Sequence, residues 1–198
     1  MSEKKMRFAW LLIVAFCFAG CMHSASRVKV RSATPWEDAK RALAEGDSRG
    51  AAQFASQMLK DNRDPKAWSY GNCIHEANQI LGLAALQQGH VADAKRYLLA
   101  AGRTPGSPQL DSFGPNMVLA QQLLKLGEKE AVLQYLDLVA RFWATTSESQ
   151  LKRLEQKTPG ITAAIKQSDS DHQALLDQWK KQIKAGENPT LNNSAGLF

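Results

Sequence analysis

The 198-residue sequence predicts an all-α protein, a stack of antiparallel helix pairs closed by a C-terminal capping helix. Three observations carry this. Apolar residues recur at steps of three and four along most of the body, and no segment shows convincing strand alternation. Glycine-containing turns at Gly46, Gly89 and Gly127 cut that pattern into helix-length pieces. The residues flanking those turns are also written more than once, most clearly over residues 77–143.

The N-terminus comes before any of these helices. Met1 to Arg7 is short and basic, and residues 8–19 form a charge-free apolar run of twelve. As a helix that run would span about 18 Å at 1.5 Å per residue. The hydrocarbon core is roughly 30 Å thick, so the run fits a signal-peptide core better than a membrane span. It ends Phe18-Ala19-Gly20-Cys21. Those four residues resemble the lipobox of bacterial lipoproteins, with Phe18 standing where Leu is usual. The resemblance implies cleavage of residues 1–20 and an acylated Cys21, with two or three chains sufficient for a stable anchor on an envelope membrane. Met22 follows in place of the Asp that retains enterobacterial lipoproteins at the inner membrane, which favours the outer membrane, facing the periplasm. Residues 21–34 then read as a polar, Ser-rich tether.

The folded body is expected over residues 35–145, followed by capping helices and a tail over 146–198. Thr34-Pro35 reads as an N-cap followed by proline at the first helical position, opening a helix to about Ala44. After Gly46-Asp47 a second helix runs from about Arg49 to Lys60, and Asp61 to Pro65 is a loop. A third helix is expected to begin near Pro65 or Trp68, to be interrupted around Tyr70-Gly71-Asn72, and to be firm from His75 to Gln88. Gly89-His90 turns the chain into a helix over Val91–Ala101. Gly102 to Pro115, with Pro105, Pro108 and Pro115, reads as a long loop. Helices then follow over Asn116–Leu126, from Glu128 to about Phe142, over Ser149–Lys157, and from Asp169 or Ser170 to about Lys184. Leu175, Leu176, Trp179 and Ile183 share one face of the last helix, as a cap over the open end of a stack requires. Leu191, Leu197 and Phe198 offer apolar contacts from the tail.

The repeated residues resemble the tetratricopeptide family, whose unit is two antiparallel helices with small and large apolar side chains at set positions. Leu81-Gly82, Ala85, Gly89, Ala94, Leu98 and Ala101 fill those slots once. Leu119, Ala120, Leu123, Gly127, Val132, Leu136 and Val139 fill them again, and Ala39, Ala42, Gly46, Ala51, Ala55 and Met58 form a weaker upstream copy. The turn glycines are offset by 43 and 38 residues, where the family's unit has about 34, and Asn78 and Asn116 stand where tryptophan is usual. The resemblance implies a right-handed tetratricopeptide-like α-solenoid that acts as a protein–protein interaction scaffold for an envelope protein or peptide.

Composition agrees with a binding role. The net charge is +6, of which Lys4, Lys5 and Arg7 against Glu3 place +2 in the first twenty residues. The remaining +4 is spread along the chain, too little and too dispersed for a nucleic-acid footprint. Only Cys73 lies in the body, so no disulfide framework or cysteine metal site is expected, and Cys73 reads as a small buried side chain. No nucleophile–base pair, HExxH or phosphate loop occurs, so no catalytic residue, metal or cofactor is assigned.

One polar grouping stands out. Asn72, His75 and Gln79 share a helical face with Glu76 and Asn78 alongside, and Asp111 and Asn116 belong to or follow the long loop. His75, Asn78, Asp111 and Asn116 therefore form the expected polar cluster. It serves either as a network satisfying loop backbone and helix ends, or as a partner or small-ligand site, in the latter case that of a binder or an enzyme.

Overall fold

Thr34 caps the first helix, α1 (Pro35–Ala44): its hydroxyl accepts the Glu37 N–H at 3.4 Å, and Pro35 takes a position where no N–H is needed. The computed structural model describes residues 34–192, so the apolar run, Cys21, most of the tether, and Leu197 and Phe198 lie outside the described residues. Eight further helices follow among the described residues: α2 (Ser48–Asp61), α3 (Tyr70–Gln87), α4 (Val91–Gly102), α5 (Pro108–Phe113), α6 (Val118–Lys125), α7 (Lys129–Trp143), α8 (Glu148–Lys157) and α9 (Ile161–Lys184). The described residues contain no strand.

Three turns are built alike. After α1, Gly46 adopts φ +77° and donates to the Leu43 carbonyl at 3.1 Å, while the Asp47 N–H donates to the Ala42 carbonyl at 2.8 Å. After α3, Gly89 (φ +77°) donates to Leu86 and His90 donates to Ala85, both at 2.9 Å. After α6, Gly127 (φ +84°) donates to Leu124 and Glu128 donates to Leu123, both at 3.0 Å. These are Schellman closures, in which glycine enters the left-handed region without a β-carbon penalty and two orphan carbonyls are satisfied. Each is followed at once by the next helix, so α1–α2, α3–α4 and α6–α7 are each joined by three residues and pack together.

The apolar positions flanking these turns are inside. Ala39, Ala51, Ala55, Ala94, Leu98, Ala101, Leu119, Ala120, Leu123, Val132, Leu136 and Val139 are fully buried. Gly82 is a close-approach site, because a β-carbon there would overlap the Leu119 side chain of α6. Two apolar clusters result. The smaller joins α1, α2 and the first part of α3, and the larger joins α4, α6, α7 and α9 with Ala85 of α3. Because α3 contributes to both, it is buried along much of its length, as a helix with apolar residues on most of its faces must be. Leu176, Trp179 and Ile183 of α9 enter the larger cluster, and Leu175 packs against it. The C-terminal helix thus closes the same core that the earlier helices build, and the described residues belong to a single unit.

Four boundaries differ from the sequence expectation. The α3 helix begins at Tyr70, later than Pro65 or Trp68, with Gly71 and Asn72 in its first turn, and Gly71 is there for packing: a β-carbon would overlap the Gly106 carbonyl. The segment 102–115 contains α5, with the Ser107 hydroxyl accepting the Leu110 N–H at 3.2 Å and Pro108 in the first turn. Asn116 precedes α6 and lies outside it; its side chain accepts the Val118 N–H at 3.0 Å. The last helix begins at Ile161, eight residues before Asp169, because Glu155 accepts the Gly160 and Thr162 N–H groups at 2.6 and 3.1 Å and so satisfies its first turn.

Candidate functional site

His75 lies at the centre of the polar interior and is completely buried. The Asn116 N–H donates to its Nε2 at 2.9 Å. A backbone amide can only donate, so Nε2 is the acceptor and Nδ1 carries the proton. Nδ1 then donates to the Ala101 carbonyl near the end of α4, 3.2 Å away. The ring thereby ties together residues 26 and 41 positions distant in the chain. Burial pushes its pKa down to about 4, against the smaller opposing effect of the Ala101 carbonyl on Nδ1–H, and so holds the imidazole neutral.

Asn116 is the second hub, and all its polar groups are engaged. Its N–H meets His75, its carbonyl accepts the Tyr135 hydroxyl at 2.9 Å, its side-chain oxygen caps Val118, and its Nδ2 donates to Glu76 Oε2 at 3.2 Å. Gln79 donates to the Tyr135 oxygen at 3.2 Å. Tyr135 and Phe142 of α7 flank the imidazole, with ring centroids 6.5 and 6.3 Å away. A second tie holds the same segment further along: the Thr104 hydroxyl donates to the Gly71 carbonyl at 2.6 Å.

Of the four expected cluster residues, the structure brings together His75 and Asn116. Asn78 is turned to its own helix, donating to the Ile74 carbonyl at 2.7 Å. Asp111 sits on α5 and faces elsewhere. Glu76, Gln79, Tyr135 and Thr104 complete the network. Glu76 and Gln79 were legible on the His75 face, whereas Tyr135 was hidden beside the repeat slot Leu136. A tyrosine at a core position is itself a signal, since its hydroxyl needs a buried partner.

Two clefts flank this interior. The first, with a volume of about 610 Å³, is walled by Trp36, α5, the start of α6, and Thr190 to Asn192. Half-buried Glu76 and Asn116 reach it from the network. Burial raises the Glu76 carboxyl to about 7, offset in part by the Asn116 hydrogen bond and the charge of Lys40. The other polar groups of this groove are mostly carboxamides: Asn72, Gln109, Gln121 and Gln122, with Lys125.

The second cleft, about 730 Å³, lies between the 105–112 segment, the end of α7, and α8 and α9. It holds Asp111, Asp169, His172, Arg141 and Arg153, with Trp68 on its wall. Burial and the charge of Asp169 raise the Asp111 carboxyl to about 6. His172 stacks on Trp143 at a centroid distance of 4.2 Å, and its Nδ1 lies 2.8 Å from the Trp143 carbonyl. Asp169 accepts the Thr146 N–H at 2.8 Å and its hydroxyl at 3.1 Å.

Cys73 is buried and free, and its thiol donates to the Met58 carbonyl at 3.4 Å. Burial and, secondarily, the charge of Asp61 raise its pKa. No group of three or more His, Cys, Asp or Glu among the described residues is arranged to hold a metal ion. No helix among them is long and apolar enough to cross a membrane. No family model, no curated protein and no solved structure matches the chain.

Proposed function

We propose that this protein is a lipid-anchored bacterial envelope scaffold whose helical body binds a protein or peptide partner. In this reading, residues 1–20 are removed, Cys21 is acylated, and the protein stands on the outer membrane facing the periplasm. The body is a right-handed, tetratricopeptide-like stack of the pairs α1–α2, α3–α4 and α6–α7, with α9 as its cap. The observation that carries the repeat reading is the recurrence of one hydrogen-bonded turn at Gly46, Gly89 and Gly127, each followed immediately by the next helix. The closure at Gly186 after α9 has the same hydrogen bonds but no helix follows it, so the support for a repeated packing unit lies in the immediate next helix and the buried slots on either side of the three turns.

The partner surface is the groove of about 610 Å³ beside α5 and α6. Its walls combine apolar and aromatic side chains with carboxamides, which suits a peptide backbone. The His75 network supports that surface from inside, since neither imidazole nitrogen is left for a ligand.

Crosslinking in envelope membranes, followed by purification of the full chain, should recover a stoichiometric protein partner that is lost on Glu76→Lys or Lys125→Glu. Recovery of no protein, or of the same proteins from both variants, would overturn the scaffold reading. Labelling with a clickable fatty acid should mark the protein and fail to mark Cys21→Ser.

A further inference from the structure

The chain leaves α9 through a closure at Gly186 (φ +91°), where the Glu187 N–H donates to the Gln182 carbonyl at 3.0 Å, and then crosses to α6 without forming a helix. This strap, residues 187–192, is held in an unusual way. Glu187, Asn188, Thr190 and Asn192 are exposed and Pro189 is half-buried, yet Leu191 is only 5% exposed and belongs to the larger core cluster. The Leu191 N–H donates to Gln121 Oε1 of α6 at 2.7 Å, across 70 residues of sequence. Asn188-Pro189 biases the strap toward an extended path, because the residue before proline is excluded from the helical region and proline itself is fixed near φ −65°.

One inserted aliphatic side chain, one backbone N–H captured by a carboxamide and an extended exposed flank together describe a bound peptide. Thr190, Leu191 and Asn192 also form one lip of the groove that the partner reading assigns. Beyond that lip, the carboxamides of Asn72, Gln109 and Gln122 have no hydrogen-bond partner among the described residues. A carboxamide offers one acceptor and two donors, the complement of a peptide unit. Charge is sparse in the groove, being confined to Glu76 and Lys125.

We propose that the strap is a self-ligand: the Leu191 site on α6 is a subsite for a non-helical peptide segment that presents one large aliphatic residue between uncharged polar neighbours, and a partner segment of this kind binds by displacing the strap. This rests on the groove reading above and names its ligand class. The strap is suited to displacement because, among the described residues, one deeply buried side chain and one hydrogen bond to α6 offset the ordering of six residues. It nevertheless guards the site, since a tethered segment competes at a local concentration on the order of millimolar.

The test uses the full chain in detergent and a fluorescent peptide of residues 186–192, Gly-Glu-Asn-Pro-Thr-Leu-Asn. Leu191→Asp releases the strap, so the peptide should bind that variant at least tenfold more tightly than wild type. The same peptide carrying Asp in place of its leucine should not bind. Equal affinity for both proteins, or no binding to a Leu191→Asp variant of wild-type helicity, overturns the proposal. A second measurement leaves Leu191 intact: in Gln121→Ala, hydrogen exchange at the Leu191 amide should accelerate at least tenfold, and an unchanged rate also overturns it. Peptide binding with no envelope protein captured would sink the scaffold and leave the subsite standing. Capture without strap competition does the reverse.

Discussion

His75 should withdraw a share of this protein's stability as pH falls, a share that Glu76 opposes over an overlapping range. The folded imidazole is neutral and fully buried, with Nδ1 donating to Ala101 and Nε2 accepting from Asn116. A proton on Nε2 would break the Asn116 bond and set two donors against each other. The folded pKa is lowered from 6.5 to about 4, while the unfolded chain titrates near 6.5. Between those values the unfolded state binds one more proton, so stability is intact above pH 6.5 and is lost as pH falls toward 4. The slope approaches 1.36 kcal/mol per pH unit, and the total is about 3 kcal/mol. Against an ordinary domain stability of roughly 5–15 kcal/mol this single contribution is sizeable, and because Glu76 acts in the opposite direction it must be isolated by comparison with a variant. Urea unfolding of wild type and His75→Gln from pH 7.5 to 4 isolates the effect as the difference between the two profiles. Proton NMR of the imidazole reads the pKa directly. Parallel stability profiles, or a ring that titrates near 6.5, would refute the buried neutral assignment.

Three further outcomes follow from the same contacts. Gly71→Ala ought to gain helix propensity yet destabilise, by about 1–3 kcal/mol, because its methyl group meets the Gly106 carbonyl rather than a movable side chain; a neutral or stabilised variant in denaturant melts would contradict the packing. Tyr135→Phe leaves the Asn116 carbonyl without its hydroxyl donor and Gln79 without its acceptor, and should cost about 1–3 kcal/mol in the same melts. Glu76→Gln tests the opposite sign of linkage. With its folded pKa raised to about 7, Glu76 takes stability away as pH rises from 4.5 through 7, so the variant should be more stable than wild type at pH 8 and equal to it below pH 4.5.

Much of the helical framework was readable because it rests on local chemistry. Thr34-Pro35 announces a helix start and the structure uses Thr34 as its N-cap, as it uses Asp47 for α2 and Ser147 for α8. The small and large apolar slots were readable by period alone. What failed was set by distant partners. Gly71 looked like a break because an isolated glycine weakens a helix, but the Gly106 carbonyl 35 positions later requires it. The early start of α9 depends on Glu155 reaching across the turn. The α5 helix is a different case. Ser107-Pro108 carries the same capping signal as Thr34-Pro35, and three prolines in one stretch obscured it. The polar cluster was half legible: helical spacing put His75, Glu76 and Gln79 together, but no local rule could pair them with Asn116 and Tyr135 or send Asp111 to the other cleft.

The asparagine at position 116 has a physical reason of its own. The pairs α3–α4 and α6–α7 are separated by residues 103–117, whose backbone cannot satisfy itself as a continuous helix would. That segment brings the Ala101 carbonyl and the Asn116 N–H and carbonyl into the interior. An aromatic at 116 would leave the Val118 N–H without its Oδ1 acceptor and Glu76 without its Nδ2 donor, at a cost of about 1–3 kcal/mol for each buried group left unpaired. His75 and Tyr135 answer those groups with a ring and a hydroxyl, while Asn116 turns its own side chain to cap α6 and reach Glu76. The polar interior thus answers the backbone groups of the segment between α4 and α6. The same segment carries α5, the element that walls both clefts, and the buried network ties it to α3 and α7 through His75 and Tyr135.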